Sequence, residues 1–148
     1  MRDGSGLVRP VVDAWLLHPV AGAPEGEKEL ATLLACFNPD ARYVDVPTGS
    51  VFEGHDGIRH MCQLAHHWSS DIEATVFTRQ TDGTMFAFET EVTGTNDAAL
   101  GDLPATGRPF VLEGVSVGTV DGDGLVTSQR DYWDLGSFLA QVGLLAST

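Results

Sequence analysis

The chain has 148 residues, of which 43% are hydrophobic, and its 21 acidic and 8 basic residues give a formal net charge of -13. This length suits a single domain over residues 1–148 that can bury a core of its own. A chain this acidic repels phosphate backbones and anionic lipids, which excludes nucleic acid and membranes as favoured partners. No apolar run in the sequence approaches the ~20 residues that span a bilayer.

The first half of the chain is dominated by helical patterns of apolar residues. A first helix is predicted from Leu7 to Leu17, and a second from Glu27 to Phe37 after the breaker-rich loop HPVAGAPEG. Asn38-Pro39-Asp40 is expected to stop the second helix. A third helix is predicted from Gly54 to Trp68, with Ile58 and Cys62 among its inward residues.

Strand patterns dominate the rest of the chain, with turns that favour antiparallel pairing. Asp82-Gly83 is a strong hairpin signal, and Asp121-Gly122-Asp123-Gly124 precedes the final strand. Asp134 is a good N-cap for a closing helix that is predicted to run to Leu145. The predicted strands are Ala41–Val46, Val51–Phe52, Ile72–Gln80, Thr84–Gly94, Phe110–Val120 and Leu125–Trp133.

The order of these elements is helices, then antiparallel strands, then a helix. This order predicts an α+β fold in which a curved, mostly antiparallel sheet is wrapped by N-terminal helices and a C-terminal helix. Helices on the concave side of such a sheet leave an apolar pocket between the layers.

Three predicted strands carry acids two residues apart or beside an aromatic residue. If these faces share the concave side, four carboxylates and a phenol converge in one cavity. Like charges there cannot all ionise, so at least one pKa rises and a general acid forms beside a general base. The residues concerned are Tyr43 with Asp45, Glu89 with Glu91, and Asp131 with Trp133.

Period two alone does not decide which face is the inner one. Glu89 and Glu91 lie on an outer face if Phe86 and Phe88 point inward. Asp131 needs a partner or a function, because a carboxylate beside an indole on an apolar wall is costly to bury unpaired.

Aromatic residues and one histidine are candidates for the substrate-binding wall of this pocket. They can also be ordinary core residues, and the histidines of the third helix can form a solvated face. The candidates are Trp15, Trp68, Phe88, Trp133 and His60, the last as a possible second acid/base group.

Cys36 and Cys62 both fall in predicted helices and are interpreted as reduced thiols of a cytoplasmic protein. The N-terminus MRDGSGLVRP lacks the long apolar segment of a signal peptide. Spacings typical of metal sites, such as C-x-x-C or H-E-x-x-H, do not occur in the sequence. We therefore expect chemistry without metal or cofactor.

Three segments carry a resemblance to a known superfamily: residues 38–43 (NPDARY), 103–108 (LPATGR), and 130–134 (RDYWD) with 141–144 (QVGL). The layout resembles the nuclear transport factor-like cone superfamily. More narrowly, it is similar to the SnoaL-like polyketide cyclases, ketosteroid isomerases and limonene-epoxide hydrolases. The resemblance implies a cone-shaped α+β barrel and a homodimer formed through the exposed sheet face.

The resemblance also implies roles for individual residues. Asp45 looks like the isomerase general base, and Tyr43 lies in a pattern similar to the hydrolase element that holds the attacking water. Asp131 matches an aspartate of the hydrolase, and Glu91 lies where that family has a second one. Glu89 stands at the position of the arginine that bridges those aspartates, which argues against strict epoxide hydrolysis. Trp15 lies roughly where the isomerase has its oxyanion-hole tyrosine, which argues against a steroid isomerase.

These observations predict a cofactor-independent acid/base enzyme of secondary metabolism, a cyclase or isomerase of the SnoaL-like type. Its substrate is expected to be small, apolar and polyketide- or terpenoid-like. Asp45 would abstract or relay a proton, Asp131 would act as partner acid or hold water, and Tyr43 would donate a hydrogen bond. Glu91 and Glu89 would tune or share the proton.

Two alternatives remain open at this point. An epoxide hydrolase needs a positive bridge between its aspartates, for which Arg42, Arg108 and Arg130 are the candidates. A non-catalytic binding module of the same fold would hold an apolar ligand or a partner enzyme, because one fold can host many functions.

Overall fold

The computed structural model describes residues 30–145, in which six strands form one sheet that packs against helices. Residues 30–34 are helical and belong to the second predicted helix. The first predicted helix, with Trp15, lies outside the described residues. The further elements are β1 (Phe37–Asp45), β2 (Ser50–Glu53), α1 (Gly54–Trp68), β3 (Glu73–Thr81), β4 (Met85–Thr95), β5 (Pro109–Val120), β6 (Val126–Trp133) and α2 (Leu135–Gln141).

The strands are ordered β2-β1-β6-β5-β4-β3 across the sheet. All neighbouring pairs are antiparallel except β1 and β6, which run parallel. The parallel pairing brings Tyr43 opposite Gln129 and Asp45 opposite Asp131. The predicted α+β fold with a curved, mostly antiparallel sheet is therefore confirmed, and its parallel pair joins the first strand to the last.

The hairpin predicted at Asp82-Gly83 is confirmed by the antiparallel pairing of β3 with β4. The Asp82 carboxylate accepts hydrogen bonds from the backbone amides of Thr84 and Met85, at 2.9 and 2.8 Å. Gly83 has a φ of 91°, a conformation that glycine adopts at little cost. The local sequence thus supplies both the turn geometry and the bonds that hold it.

Two predicted boundaries are wrong. Strand β1 begins at Phe37, where a helix end was expected, because Phe37 already pairs with Val126 and the register shifts before Arg42. Helix α2 ends at Gln141 and not at Leu145, since Gly143 has a φ of 79° and the amides of Leu144 and Leu145 both bond to the Leu139 carbonyl. Its start is as predicted, with the Asp134 carboxylate accepting from the Ser137 amide at 2.9 Å.

Two clusters of buried side chains form the core. The larger one lies between α1, residues 30–34 and the sheet, and includes Tyr43, Ile58 and Phe88. The smaller one joins β5 to α2 through Phe110 and Phe138. Members of both clusters line a single cavity, which lies between them.

The opposite, outer face of the sheet leaves large apolar side chains in solvent. Phe77, Val111, Val115 and Tyr132 are 57%, 50%, 38% and 41% exposed. Homodimerisation through this face stays a prediction. In residues 30–145, no helix combines the length and the apolar character that crossing a bilayer requires.

Replacing Gly118 by alanine is expected to destabilise the sheet, because the added Cβ would lie 2.3 Å from the Ser128 carbonyl oxygen and 2.4 Å from the Phe86 ring. Overpacking of this kind typically costs about 1–3 kcal/mol of unfolding free energy. Urea denaturation measures the loss. Gly122→Ala is the matched control, since nothing lies within 4 Å of its added Cβ; equal stability of the two variants would contradict the expectation.

Candidate active site

The cavity has a volume of about 300 Å³ and opens between α1, α2 and the concave side of the sheet. Its lining is mostly apolar and includes Trp68, Phe88, Leu112, Trp133 and Phe138. Polar groups converge on it from three adjacent strands: Tyr43 and Asp45 from β1, Asp131 from β6, and Ser116 from β5. Apolar pockets with a few convergent polar groups are the usual form of small-molecule sites.

Asp131 is the centre of this polar cluster. Its Oδ1 accepts hydrogen bonds from Ser116 Oγ at 2.6 Å and from Gln129 Nε2 at 3.1 Å. Its Oδ2 accepts a hydrogen bond from the Tyr43 hydroxyl. Two of these donors are placed by the sheet. Ser116 lies directly opposite Asp131 on β5, and Gln129 lies two residues before Asp131 on the same face of β6.

Burial raises the pKa of the Asp131 carboxyl above its ordinary value, because the charged form loses solvation. Hydrogen bonds from Ser116, Tyr43 and Gln129 oppose this rise, and the negative charge of Asp45 adds to it. Burial, followed by the charge of Asp131, raises the pKa of Tyr43 well above its usual range, so the phenol stays a donor. The cluster therefore combines a carboxyl poised to exchange a proton with a hydroxyl that keeps its own.

Asp45 is the second carboxylate of the cavity and has its own supports. Its Oδ1 accepts a hydrogen bond from the Trp133 indole Nε1 at 2.6 Å, and its Oδ2 accepts one from the Thr48 hydroxyl. Trp133 thus has a polar partner as well as a place on the cavity wall. Tyr43, Asp45, Asp131 and Trp133 lie together, as the period-two pattern predicts; their roles in catalysis remain predictions.

The expected convergence of Glu89 and Glu91 on this cavity is wrong. Phe86 and Phe88, on the opposite face of β4, are 3% and 2% exposed, and Phe88 lines the cavity. Turning these two rings inward buries far more apolar area than the other face of β4 offers, and period two then sends the glutamates outward. Glu89 lies in solvent, where it accepts a hydrogen bond from Thr78 at 2.9 Å.

Placement of the predicted substrate-binding residues is mixed. Trp68, Phe88 and Trp133 line the cavity, whereas Trp15 lies outside the described residues. The expectation for His60 is wrong: it is exposed and packs edge-on against the Phe52 ring, with 6.2 Å between centroids. His66, on another side of α1, lines the cavity instead.

Sequence reasoning missed Ser116 and Gln129 as site residues. Gln129 shares the period-two face of Asp131, which was a usable signal. Ser116 follows Phe110, Leu112 and Gly114 on one parity of β5, so its inward position was also readable once that face was known. In residues 30–145, no group of three or more histidine, cysteine or acidic side chains is arranged to hold a metal ion.

The raised pKa of Asp131 makes a specific prediction about stability and pH. Because the pKa of Asp131 is higher in the folded than in the unfolded state, the folded protein binds more protons than the unfolded chain at pH values between the two. The stabilisation from protonated Asp131 is therefore complete below both pKa values and is lost as the pH rises through the folded-state pKa. The free energy of unfolding of Asp131→Asn, minus that of the wild type, is therefore expected to increase from acidic to neutral pH. Urea denaturation of both proteins across this range measures it; a difference that falls or stays flat would contradict the expectation.

Residues 24–129, more than half of the chain, match the model of the SnoaL-like domain. The chain belongs to the SnoaL-like domain family. Asp131 and Trp133 lie just beyond the residues matched, so their place in the site of this SnoaL-like protein is given by the structure.

Solved structures with the same fold include several from this family. IdmH of Streptomyces antibioticus, a candidate polyketide cyclase, shares 22% identity at a TM-score of 0.73, covering 96% of this chain and 99% of its own. A candidate SnoaL-like polyketide cyclase from Jannaschia sp. CCS1 shares 15% at 0.76, covering 97% and 93%. A protein of ketosteroid isomerase-like fold from Catenulispora acidiphila shares 23% at 0.72, covering 91% and 93%. These likenesses show the fold alone, and no curated protein gives a significant match.

Proposed function

We propose that this SnoaL-like protein is an acid/base enzyme that catalyses a cyclase- or isomerase-type reaction on a small, mostly apolar carbonyl compound. One observation carries the proposal: a partly buried carboxyl group with three hydrogen-bond donors lies at the wall of an apolar cavity. A general base is most effective when its pKa lies near the operating pH, and burial moves the pKa of Asp131 in that direction.

Asp131 takes a proton from the carbon beside the substrate carbonyl and returns it at another position, or leaves the carbanion to close a ring. Tyr43 and Ser116 stabilise the ionised carboxylate before the transfer, since both donate to it. Asp45, in the same cavity, is placed to relay a proton or to hold water. No step requires a metal or a cofactor.

The cavity favours a small and uncharged substrate. Its volume of about 300 Å³ lies at the lower end of ligand pockets, which span about 300–1,000 Å³. Two carboxylates on the wall repel anionic compounds. The polyketide cyclase candidates among proteins of the same fold support a substrate of the polyketide type.

An epoxide hydrolase is less well supported, because the positive bridge between its aspartates has no candidate on the cavity wall among residues 30–145. Arg42 lies 3.9 Å from Glu53, and both side chains are largely exposed. Arg130 lies over the Tyr132 ring, 6.0 Å from its centroid, on the outer side of β6. Arg108 lies against Gly143.

The proposal is tested by proton exchange, which needs no knowledge of the natural product. A panel of neutral ketones and β-diketones is incubated with the protein in D₂O, and loss of the α-proton signals is followed by NMR. We expect faster exchange than in buffer for at least the compounds that fit the cavity. Compounds that quench the fluorescence of Trp68 or Trp133 without any exchange would instead identify a binding module.

A further inference from the structure

Gln129 is a polar residue in the interior that the proposed chemistry does not use directly. It is 0% exposed, and it lies on β6 two residues before Asp131. Its amide oxygen Oε1 is buried and has no hydrogen-bond partner among the described residues. A buried carbonyl without a donor is costly, so a contribution from the rest of the amide is expected.

The contribution lies on the nitrogen side of the same amide. Nε2 lies 3.1 Å from Asp131 Oδ1 and 3.3 Å from the Tyr43 hydroxyl oxygen, to both of which it donates. Tyr43 in turn donates to Asp131 Oδ2. The three side chains thus form a closed triangle in which every donor points toward the carboxylate or toward the phenol that supports it.

We propose that Gln129 is a positioning residue that holds Asp131 in its ionised form and fixes Tyr43 as a donor to it. The opposite orientation of the amide would place Oε1 about where Nε2 is, facing Asp131 Oδ1 with oxygen against oxygen. That orientation suits only a protonated Asp131. The orientation of the Gln129 amide is therefore coupled to the protonation state of Asp131. The orientation that suits the ionised carboxylate leaves Gln129 Oε1 without a partner among the described residues.

Other titratable groups share the cavity and have to be separated from this effect. They are Tyr43 and Asp45 from β1, and Cys62 and His66 from α1; Glu113 of β5 borders the cavity but lies opposite Glu91, on the outer face. Burial raises the pKa of the Cys62 thiol to about 12 and raises the pKa of Tyr43 well above its usual range, so both stay protonated at neutral pH. Asp45, Glu113 and His66 are present in wild type and variant alike, so a comparison between the two cancels them.

The test is an NMR titration of the Asp131 side-chain carboxyl carbon in the free protein, with the signal assigned by its absence in Asp131→Asn. Gln129→Met keeps the volume and removes the donor, and it is expected to raise the proton affinity of Asp131 about tenfold, since hydrogen bonds to charged groups are the strong ones. Gln129→Glu places a second acid beside Asp131 and is expected to raise the affinity at least as much. Gln80→Met, at an exposed strand position, is the matched control and is expected to leave the midpoint unchanged.

An Asp131 midpoint that stays at the wild-type value in Gln129→Met would overturn the proposal; if that variant does not fold, Gln129→Leu, which also lacks the donor and adds no charge, decides in the same way. The titration uses no substrate, so it stands even if no compound exchanges protons. The catalytic consequence rests on the proposed function: the pH profile of kcat for Gln129→Met should shift to higher pH, with little change in KM. A titration shift without any exchange activity would uphold the positioning role and reject the enzyme.

Discussion

Asp131→Asn is expected to lower the rate of substrate proton exchange by about 10²–10⁴-fold, the usual contribution of a positioned acid/base group. The amide keeps the size of the side chain but cannot take up a proton. Its oxygen can still accept from Tyr43, and the Ser116 hydroxyl and the Gln129 amide can each turn to accept from the new amide nitrogen, so the fold should survive. Substrate affinity, followed by tryptophan fluorescence, should change much less than the rate.

Glu89→Gln is the matched control for this experiment. It removes one carboxylate charge from a strand of the same sheet, but on the outer face, where Glu89 contacts Thr78. Its exchange rate should equal that of the wild type. Asp45→Asn, inside the cavity, separates the two carboxylates: full activity in Asp131→Asn together with loss in Asp45→Asn would assign the proton transfer to Asp45.

Phe110→Ala is expected to lower the free energy of unfolding by about 3–5 kcal/mol, because it removes a large buried ring and leaves a cavity. Phe110 is 1% exposed. Its ring stacks on Trp68 with 5.0 Å between centroids and meets Phe138 edge-on at 5.3 Å. Both neighbours line the ligand cavity, so the variant should also weaken ligand binding.

Phe77→Ala removes the same side chain from the outer face of the sheet, where Phe77 is 57% exposed. Surface substitutions of this kind usually stay within about 0.5 kcal/mol of the wild type. Thermal and urea denaturation of the two variants compare them directly. A loss for Phe110→Ala no larger than that for Phe77→Ala would show that the smaller core cluster does not stabilise the domain.

Patterns of residues close together in the sequence were sufficient to predict much of the architecture. The Asp82-Gly83 turn, the Asp134 cap and the bounds of α1 each depend on residues close together in sequence, and these predictions are confirmed. Period two also placed Tyr43 with Asp45 and Asp131 with Trp133 on one face each, but only the structure shows that both faces line the cavity.

The predictions that were wrong concern features that are determined by packing between residues far apart in the sequence. Both parities of β4 carry acceptable strand residues, and the inner face is selected by the burial of Phe86 and Phe88 against α1 and its neighbours. The rotation of α1 about its axis, which brings His66 and not His60 to the cavity, depends on how the helix seats on the sheet. The parallel neighbour of β1 could not be read from local sequence, since the paired residues lie up to 89 positions apart.

The parallel β1–β6 pairing has a consequence for how the protein is made. The phenol and the carboxyl that define the site stand 88 positions apart, and β6 is the last strand to leave the ribosome. During synthesis one edge of β1 stays unpaired until β6 has been made, and contacts of such wide separation form slowly. Polypeptides released before β6 would therefore lack the strand that joins β1 to β5, and the unpaired strand edges left behind would make them prone to aggregate.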